Sequence, residues 1–161
     1  MFNLKAEFYL KIIFLFSFIA LISAFFIEYI LGHQPCNLCL IERIPYGLSI
    51  MIIMAIFLIR KNQKFLVMLL ILTFIFSFAI SFYHFGIEQG FFQESSVCGV
   101  KSSTEIFTKE DLLKQLSEKT ISCKDVTFRI FGLSLTSINI VISLLFIITL
   151  LKIFNNYKKN K

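Results

Sequence analysis

The chain has four cysteines, and two of them form the motif Cys36-Asn37-Leu38-Cys39. A thiol pair where a loop becomes a helix is easily ionised, because the helix N-terminus carries partial positive charge and free N–H groups. Arg43 adds a full charge four residues after Cys39, on the same face if the stretch is helical. Such a thiolate is also a good leaving group in disulfide exchange. The motif therefore predicts a redox-active pair, with an inert, tight disulfide as the alternative.

The other two cysteines, Cys98 and Cys123, are separated by a long polar segment. On spacing alone, this pair is typical of a disulfide that staples a long loop. Four cysteines permit three pairings, and sequence alone does not choose among them. The pairing that we expect is Cys36–Cys39 and Cys98–Cys123. A structural zinc site normally needs two close ligand pairs, and only one is present here, so we predict no metal.

The composition places these cysteines in a membrane protein. Of the 161 residues, 57% are hydrophobic and 16% are charged, whereas globular chains carry about 45–50% apolar and about 25% charged residues. A disordered chain and a soluble enzyme are therefore excluded. The net charge of +6 could suit nucleic acid, but the lysines lie between long apolar runs rather than on one polar domain. We predict membrane lipid, and no nucleic acid, as a partner.

Four apolar stretches qualify or nearly qualify as membrane spans, each of which needs roughly 20 residues in a helix. They cover residues of about 9–30, 44–59, 65–85 and 130–151. We therefore predict an all-α membrane protein, a bundle of four transmembrane helices in a single domain over residues 1–161. Pro45 complicates the second span, since proline is comfortable only in the first helical turn. Either this helix begins near Ile44, or it begins earlier and kinks.

The distribution of basic residues predicts the orientation. The first stretch is expected to be retained rather than cleaved, because no small-x-small site follows its long apolar core. An even number of spans then places both termini on one side. Lys and Arg are much denser in the termini and the turn at 60–64 than in loops 31–43 and 86–129. Both termini are thus predicted to be cytoplasmic, and the cysteine loops to lie in an oxidising compartment outside.

The second of these loops is predicted to contain a short amphipathic helix within residues 108–119. Thr108 can cap this helix. Leu112, Leu113 and Leu116 form one apolar stripe opposite mixed charges. The helix could lie on the membrane surface, or it could pack on the other loop, and the sequence leaves both arrangements open.

Two further polar side chains fall within or at the ends of the predicted spans. His84 lies at the outer end of the third span. An ionisable residue at membrane depth is a functional candidate, but near the interface a structural role is favoured for His84 on its own. Asn139, in the fourth span, is expected to form a hydrogen bond with a neighbouring helix.

Three segments together resemble the disulfide bond formation protein B (DsbB) family. They are QPCNLCLIER at Gln34–Arg43, YHFGIEQG at Tyr83–Gly90, and FGLSL at Phe131–Leu135, which Asn139 follows. The resemblance covers nearly the whole chain, in order, and includes the four-span topology. It implies an inner-membrane four-helix bundle that oxidises a periplasmic DsbA-like thioredoxin-fold oxidase. The electrons would pass to a quinone, either ubiquinone or menaquinone.

The resemblance also implies a role for each site residue. Cys98 is the sulfur attacked by the partner, and Cys123 is its disulfide mate. Cys36 then accepts the electrons by exchange, and Cys39 faces the quinone. Two further residues help to form the quinone site, namely Arg43 and His84. 

The chain departs from the family pattern at one residue type. It has no Trp, whereas family members often carry Trp in the second loop and just before the fourth span, where Phe128 stands here. The family also contains specialised relatives with other partners. A DsbA-like partner is therefore an inference from the resemblance.

Two other functions remain open on the sequence. A vitamin-K-epoxide-reductase-like redox protein shares the four-span plan, but its C-x-x-C usually lies near a later span, whereas here the motif opens the second. A non-enzymatic membrane scaffold with two stapled loops is the other. The physical logic favours a relay, since protein disulfides form outside the membrane while quinone is dissolved in lipid. Such a relay needs one dithiol on a loop and another at the membrane surface, and this chain has both.

Overall fold

In the part of the chain that it describes, the computed structural model shows four long α-helices and one minimal pair of strands. It describes the following residues: 4–59, 62–93, 98, 123, 129–130 and 133–159. The helices, numbered in chain order, are α1 (Leu4–Tyr29), α2 (Asn37–Leu58), α3 (Gln63–Glu88) and α4 (Leu135–Lys159). Before α4, strand β1 (Arg129–Ile130) pairs antiparallel with β2 (Leu133–Ser134).

Each of the four helices is long and apolar enough to cross a membrane. The predicted all-α bundle of four transmembrane helices is therefore confirmed. Large apolar side chains are exposed along the helices, as expected where lipid rather than water surrounds the protein. The predicted amphipathic helix at 108–119 lies outside the described residues, and the extent of the single domain stays a prediction.

The helices differ from the predicted spans most clearly at the start of α2. This helix begins at Asn37 with Cys36 as its N-cap, and Pro45 lies inside it. Of the two arrangements that Pro45 left open, the structure therefore shows the earlier start. A proline has no N–H, so the carbonyl of Ile41 loses its usual helical donor. The predicted fourth span also starts too early, because β1 and β2 precede Leu135.

The helices pack largely in chain order. α2 packs against both α1 and α3, and α3 packs against α4, whereas α1 and α4 touch only weakly. The apolar core contains fully buried side chains from all four helices, among them Leu10, Ile53, Phe74 and Leu150. The weak contact between α1 and α4 leaves room for a cavity at one end of the bundle.

Small polar side chains also link the helices inside this core. The Ser49 hydroxyl donates to Ser17 Oγ at 2.9 Å, and the Ser143 hydroxyl donates to Ser77 Oγ at 3.1 Å. The Asn139 side chain hydrogen-bonds to neighbouring helices, as the sequence led us to expect. Such bonds average about 0.6 kcal/mol each in membrane bundles, so they orient the helices more than they stabilise them.

Candidate active site

The two disulfides lie in one buried cluster. Cys36 is bonded to Cys39 and Cys98 to Cys123, with Cα–Cα distances of 5.1 and 5.4 Å. This is the pairing that we expected among the three permitted. Cys36, Cys98 and Cys123 pack together with Ile87 at the end of α3. The fold therefore brings Cys98–Cys123, the loop pair, against the C-x-x-C pair. Spacing along the chain does not reveal this proximity.

The start of α2 determines how the C-x-x-C pair is presented. Cys36 is the N-cap, and its Sγ accepts a hydrogen bond from the backbone N–H of Cys39 at 3.2 Å. Side chains three or four residues apart lie on one face of a helix. Cys39, Glu42, Arg43 and Tyr46 therefore follow Cys36 along the face that lines the cavity.

His84 lies between Cys36 and a carboxylate. Its Nε2 is 3.6 Å from Cys36 Sγ, and its Nδ1 is 2.8 Å from Glu42 Oε1. The ring is only 2% exposed. One helical turn later, Glu88 Oε1 lies 3.9 Å from the same Nε2. The imidazole is thus held by a carboxylate on one side and faces a redox sulfur on the other.

Hydrogen bonds from α4 fix both carboxylates. Asn139 Nδ2 donates to Glu42 Oε2 at 3.1 Å and to Ser81 Oγ at 2.7 Å. The Thr136 hydroxyl donates to Glu88 Oε2 at 2.7 Å. Among the described residues, every buried side-chain nitrogen or oxygen has a hydrogen-bond partner. The site is therefore a connected polar network in which α2, α3 and α4 hold His84 in one orientation.

Arg43 links α2 to the first helix. Its guanidinium donates to Glu28 in a partly buried ion pair, and its Cζ lies 5.3 Å from the centre of the Phe25 ring. Arg43 also lines the same cavity as Cys39. The residue therefore contributes positive charge to the cavity while it holds α1 in place, a second role that the sequence did not indicate.

A cavity of about 290 Å³ opens beside the C-x-x-C pair, between α1 and α4. Its polar side contains Cys36, Cys39, Glu42, Arg43, His84 and Glu88, and Cys123 also reaches it. The remaining walls are mostly apolar and come from α1 and α4, including Phe16, Ala20, Leu21, Ile27, Ile138 and Ile142. An apolar space with a few convergent polar groups at one side is typical of a small-molecule site.

Sequence reasoning missed Glu42, Glu88 and Glu28 as members of this site. A signal for Glu42 existed, because an ionisable residue next to a predicted span, near membrane depth, is itself a candidate. A second signal was the spacing of Ser81, His84 and Glu88, which places all three on one face of α3. These spacings indicate a polar face, but they do not tell which side chains meet across helices.

Comparison with known proteins gives matches that cover most of the chain. The model of a family described as disulfide bond formation protein DsbB matches residues 6–153, a range that contains all four cysteines. The chain is also similar to the uncharacterized protein RP370 of Rickettsia prowazekii (strain Madrid E). The two are 33% identical over 147 residues, which cover 90% of this chain and 86% of the relative.

Proposed function

Because the chain belongs to the DsbB family of disulfide bond formation proteins, we propose that it oxidises a periplasmic DsbA-like thioredoxin-fold oxidase and reduces membrane quinone. The family membership that the motifs predicted is confirmed, and with it an oxidoreductase role in disulfide formation at a membrane. One observation carries the finer proposal. Both disulfides share a buried cluster, so electrons that enter one pair have a short route to the other.

The route follows from thiol–disulfide exchange, which proceeds through mixed disulfides. A partner thiolate attacks Cys98 and displaces the Cys123 thiolate, and the partner's second thiol then releases Cys98. Cys123, which reaches the cavity beside the C-x-x-C pair, attacks Cys36 and displaces Cys39. Cys98 then attacks Cys123 and restores the loop disulfide. The partner dithiol has become a disulfide, and Cys36 and Cys39 hold its two electrons and two protons as thiols.

In this scheme, His84 holds the proton of Cys36. Both Glu42 oxygens accept hydrogen bonds, one of them from His84 Nδ1 and the other from Asn139. Because Nδ1–H donates to the carboxylate, Nε2 has the lone pair, and it faces Cys36 Sγ at 3.6 Å. Glu42 thereby acts as a positioning residue, which sets the orientation and tautomer of the ring.

The cavity fits a quinone head group. A flat ring suits its apolar walls, and the ring oxygens would lie near the polar side, where Arg43, His84 and Cys39 would hold the molecule. When bound, the quinone supplies a two-electron acceptor that also takes up two protons. The volume of about 290 Å³ is near the lower limit of about 300 Å³ for small-molecule pockets. Ubiquinone and menaquinone are both included in the proposal.

Arg43→Ala is expected to raise the quinone KM by about tenfold, which corresponds to about 1.4 kcal/mol of binding free energy. Arg43→Lys should retain part of the affinity, since the charge survives but the planar fork is lost. The matched control is Glu28→Gln, which weakens the link to α1 and keeps the Arg43 charge. Quinone-reduction kinetics measure both effects. An equal rise in KM for Glu28→Gln would show that Arg43 acts through helix packing, and unchanged kinetics in Arg43→Ala would remove it from the quinone site.

We also propose that the protein lies in the bacterial inner membrane, with cytoplasmic termini and periplasmic cysteine loops. The density of basic residues at the termini and at the turn between α2 and α3 supports this orientation. After reduction, a membrane-impermeant thiol reagent added to spheroplasts should label all four cysteines. Protection of Cys36 and Cys39 alone would fit their burial beside bound quinone. Protection of all four would reverse the proposed orientation.

The direct test is quinone reduction by the purified protein, followed by the ultraviolet absorbance of the quinone. In the presence of a reduced DsbA-like partner, we expect catalytic loss of quinone that requires both proteins. A membrane scaffold with stapled loops would leave the quinone unreduced. If neither quinone reduction nor partner oxidation exceeds the rate of the mixture without this protein, the proposed function is refuted.

A further inference from the structure

The C-x-x-C pair and His84 place three metal-ligating groups together. One ligand atom from each of Cys36, Cys39 and His84 lies within 4.8 Å of the other two. We propose that, when Cys36 and Cys39 are reduced, these residues bind a thiophilic divalent cation such as Zn²⁺. The bound cation holds the pair as dithiolate and stops the relay. Cation binding is independent of the proposed function, and only the arrest of the relay rests on it.

The spacing of the ligand atoms suits a tetrahedral zinc ion. Zinc binds thiolate sulfur at about 2.3 Å and imidazole nitrogen at about 2.0–2.1 Å, so the two atoms of one tetrahedral edge are about 3.6 Å apart. Cys36 Sγ and His84 Nε2 are 3.6 Å apart. Two cysteines separated by two residues commonly bind one zinc ion. Reduction therefore has to separate only the two bonded sulfurs to create the site.

The surroundings of His84 are those of a metal ligand. A ligating histidine usually donates its other ring N–H to a carboxylate, which fixes the ring and raises its basicity. Here Glu42 Oε1 lies 2.8 Å from Nδ1, so Nε2 is the nitrogen directed at Cys36. Glu42 is in turn held by Asn139. This carboxylate–histidine arrangement is already present in the oxidised protein.

Glu88 is not one of the three grouped ligands, but its carboxylate lies beside His84 and supplies the fourth ligand if the side chain moves toward the cation. Its Oε1 lies 3.9 Å from His84 Nε2, and its side chain is 5% exposed. The Thr136 hydroxyl donates a hydrogen bond to the other oxygen of this carboxylate. Two thiolates, one imidazole and one carboxylate form a donor set that zinc accepts. The sequence disfavoured zinc because only one close ligand pair was visible, whereas the fold brings His84 to that pair, with Glu88 one turn later on α3 beside His84.

The redox state controls this site because the thiolate is the metal ligand. In the disulfide, the two sulfurs are bonded to each other and neither is a thiolate. A dithiol partner or a phosphine adds two electrons and two protons and gives two thiols. The cation then displaces one proton from each thiol as it binds. It therefore binds the dithiol form selectively and opposes its reoxidation.

Cobalt titration of the full-length protein tests the site, because Co²⁺ bound by thiolates absorbs in the near ultraviolet and, when four-coordinate, strongly in the visible. A Cys98→Ser/Cys123→Ser background leaves Cys36 and Cys39 as the only thiols. After phosphine reduction and removal of the phosphine, we expect one Co²⁺ per chain, displaced by Zn²⁺, and no signal from the oxidised protein. If that background does not fold, the reduced wild-type chain serves, and only the share of the signal that depends on His84 is counted.

Three variants show which residues bind the cation. His84→Ala should weaken Co²⁺ affinity at least a hundredfold, because it removes a ligand. Glu42→Gln should weaken it by about 10–100-fold, because Glu42 orients the His84 ring. The matched control is His33→Ala, since His33 lines the same cavity but lies outside the ligand group. It should retain wild-type affinity. Equal Co²⁺ binding by the oxidised protein, or full affinity in His84→Ala, would overturn the proposal.

Activity provides the second measurement. Zn²⁺ added during turnover should stop quinone reduction, and a chelator should restore it. Continued turnover with the cobalt site filled would overturn the arrest of the relay, although the cation site itself would stand. A protein that binds Co²⁺ as described but never reduces quinone would instead refute the proposed function, so the two failures are distinguishable.

Discussion

Replacing Cys39 with serine is expected to lower quinone reduction to the uncatalysed rate. No Cys36–Cys39 disulfide then remains to carry electrons from the loop pair, and the same result is expected for Cys36→Ser. The Cys98–Cys123 disulfide should still oxidise one equivalent of the reduced partner and then stop. Partner thiols, counted against protein concentration, distinguish this single turnover from catalysis. Quinone reduction that survives Cys39→Ser would end the proposed electron path.

The loop pair provides the complementary part of this prediction. A mixed disulfide persists when the resolving thiol is removed. In Cys123→Ser, Cys98 is a free thiol, so the Cys36–Cys39 disulfide is the oxidant. Cys98 attacks Cys36 and releases Cys39, and a partner that carries a single active-site cysteine then attacks Cys98 and releases Cys36. The Cys98–partner disulfide should therefore accumulate while the C-x-x-C pair becomes reduced, whereas the matched Cys98→Ser variant should form no such adduct. A non-reducing gel shows the adduct. If the loop pair were only a staple, both variants would lose about 2–5 kcal/mol of stability and neither would form an adduct, while an adduct through Cys36 would reverse the path.

The four spans could be predicted because lipid imposes a strong constraint, a long apolar run for each helix. The predicted second span began near residue 44 because Glu42 and Arg43 interrupt the apolar run, and the sequence left an earlier start of α2 open. In the fold these charges are satisfied inside the protein, Glu42 by His84 and Arg43 by Glu28, so they lie within the helix rather than before it. The start of α4 was predicted too early, because a short apolar run does not distinguish strand from helix.

The candidate site was only partly predictable. Residue type and position singled out Cys36, Cys39, Arg43 and His84, which lie at the ends of predicted membrane spans. Spacing alone favoured a loop staple for Cys98 and Cys123. The contact of His84 with Cys36, and that of the loop pair with the C-x-x-C pair, depend on how the helices rotate about their axes. That rotation is decided by packing across several helices, which a single sequence does not specify.

His84→Ala is expected to slow electron transfer from the loop pair to the C-x-x-C pair by about 10²–10⁴-fold, the usual range for a positioned acid–base group. The reason is the position of Nε2, 3.6 Å from the sulfur that accepts the exchange. Rapid mixing of the reduced partner with the quinone-loaded protein measures the rate. The matched comparison is His33→Ala, which removes the other histidine of the cavity and should slow this step far less than His84→Ala.

Glu42→Gln separates a proton role of His84 from a packing role. Glutamine preserves the size of the side chain and an acceptor oxygen for Nδ1–H, but it removes the charge that stabilises a protonated ring. If His84 holds the Cys36 proton during exchange, Glu42→Gln should lower kcat by about tenfold, a part of the His84→Ala effect, and leave the quinone KM unchanged. A rise in KM without a fall in kcat would mean that the network only shapes the cavity. A wild-type rate in His84→Ala would remove the proton role altogether, because the role rests on the contact between His84 Nε2 and Cys36 Sγ.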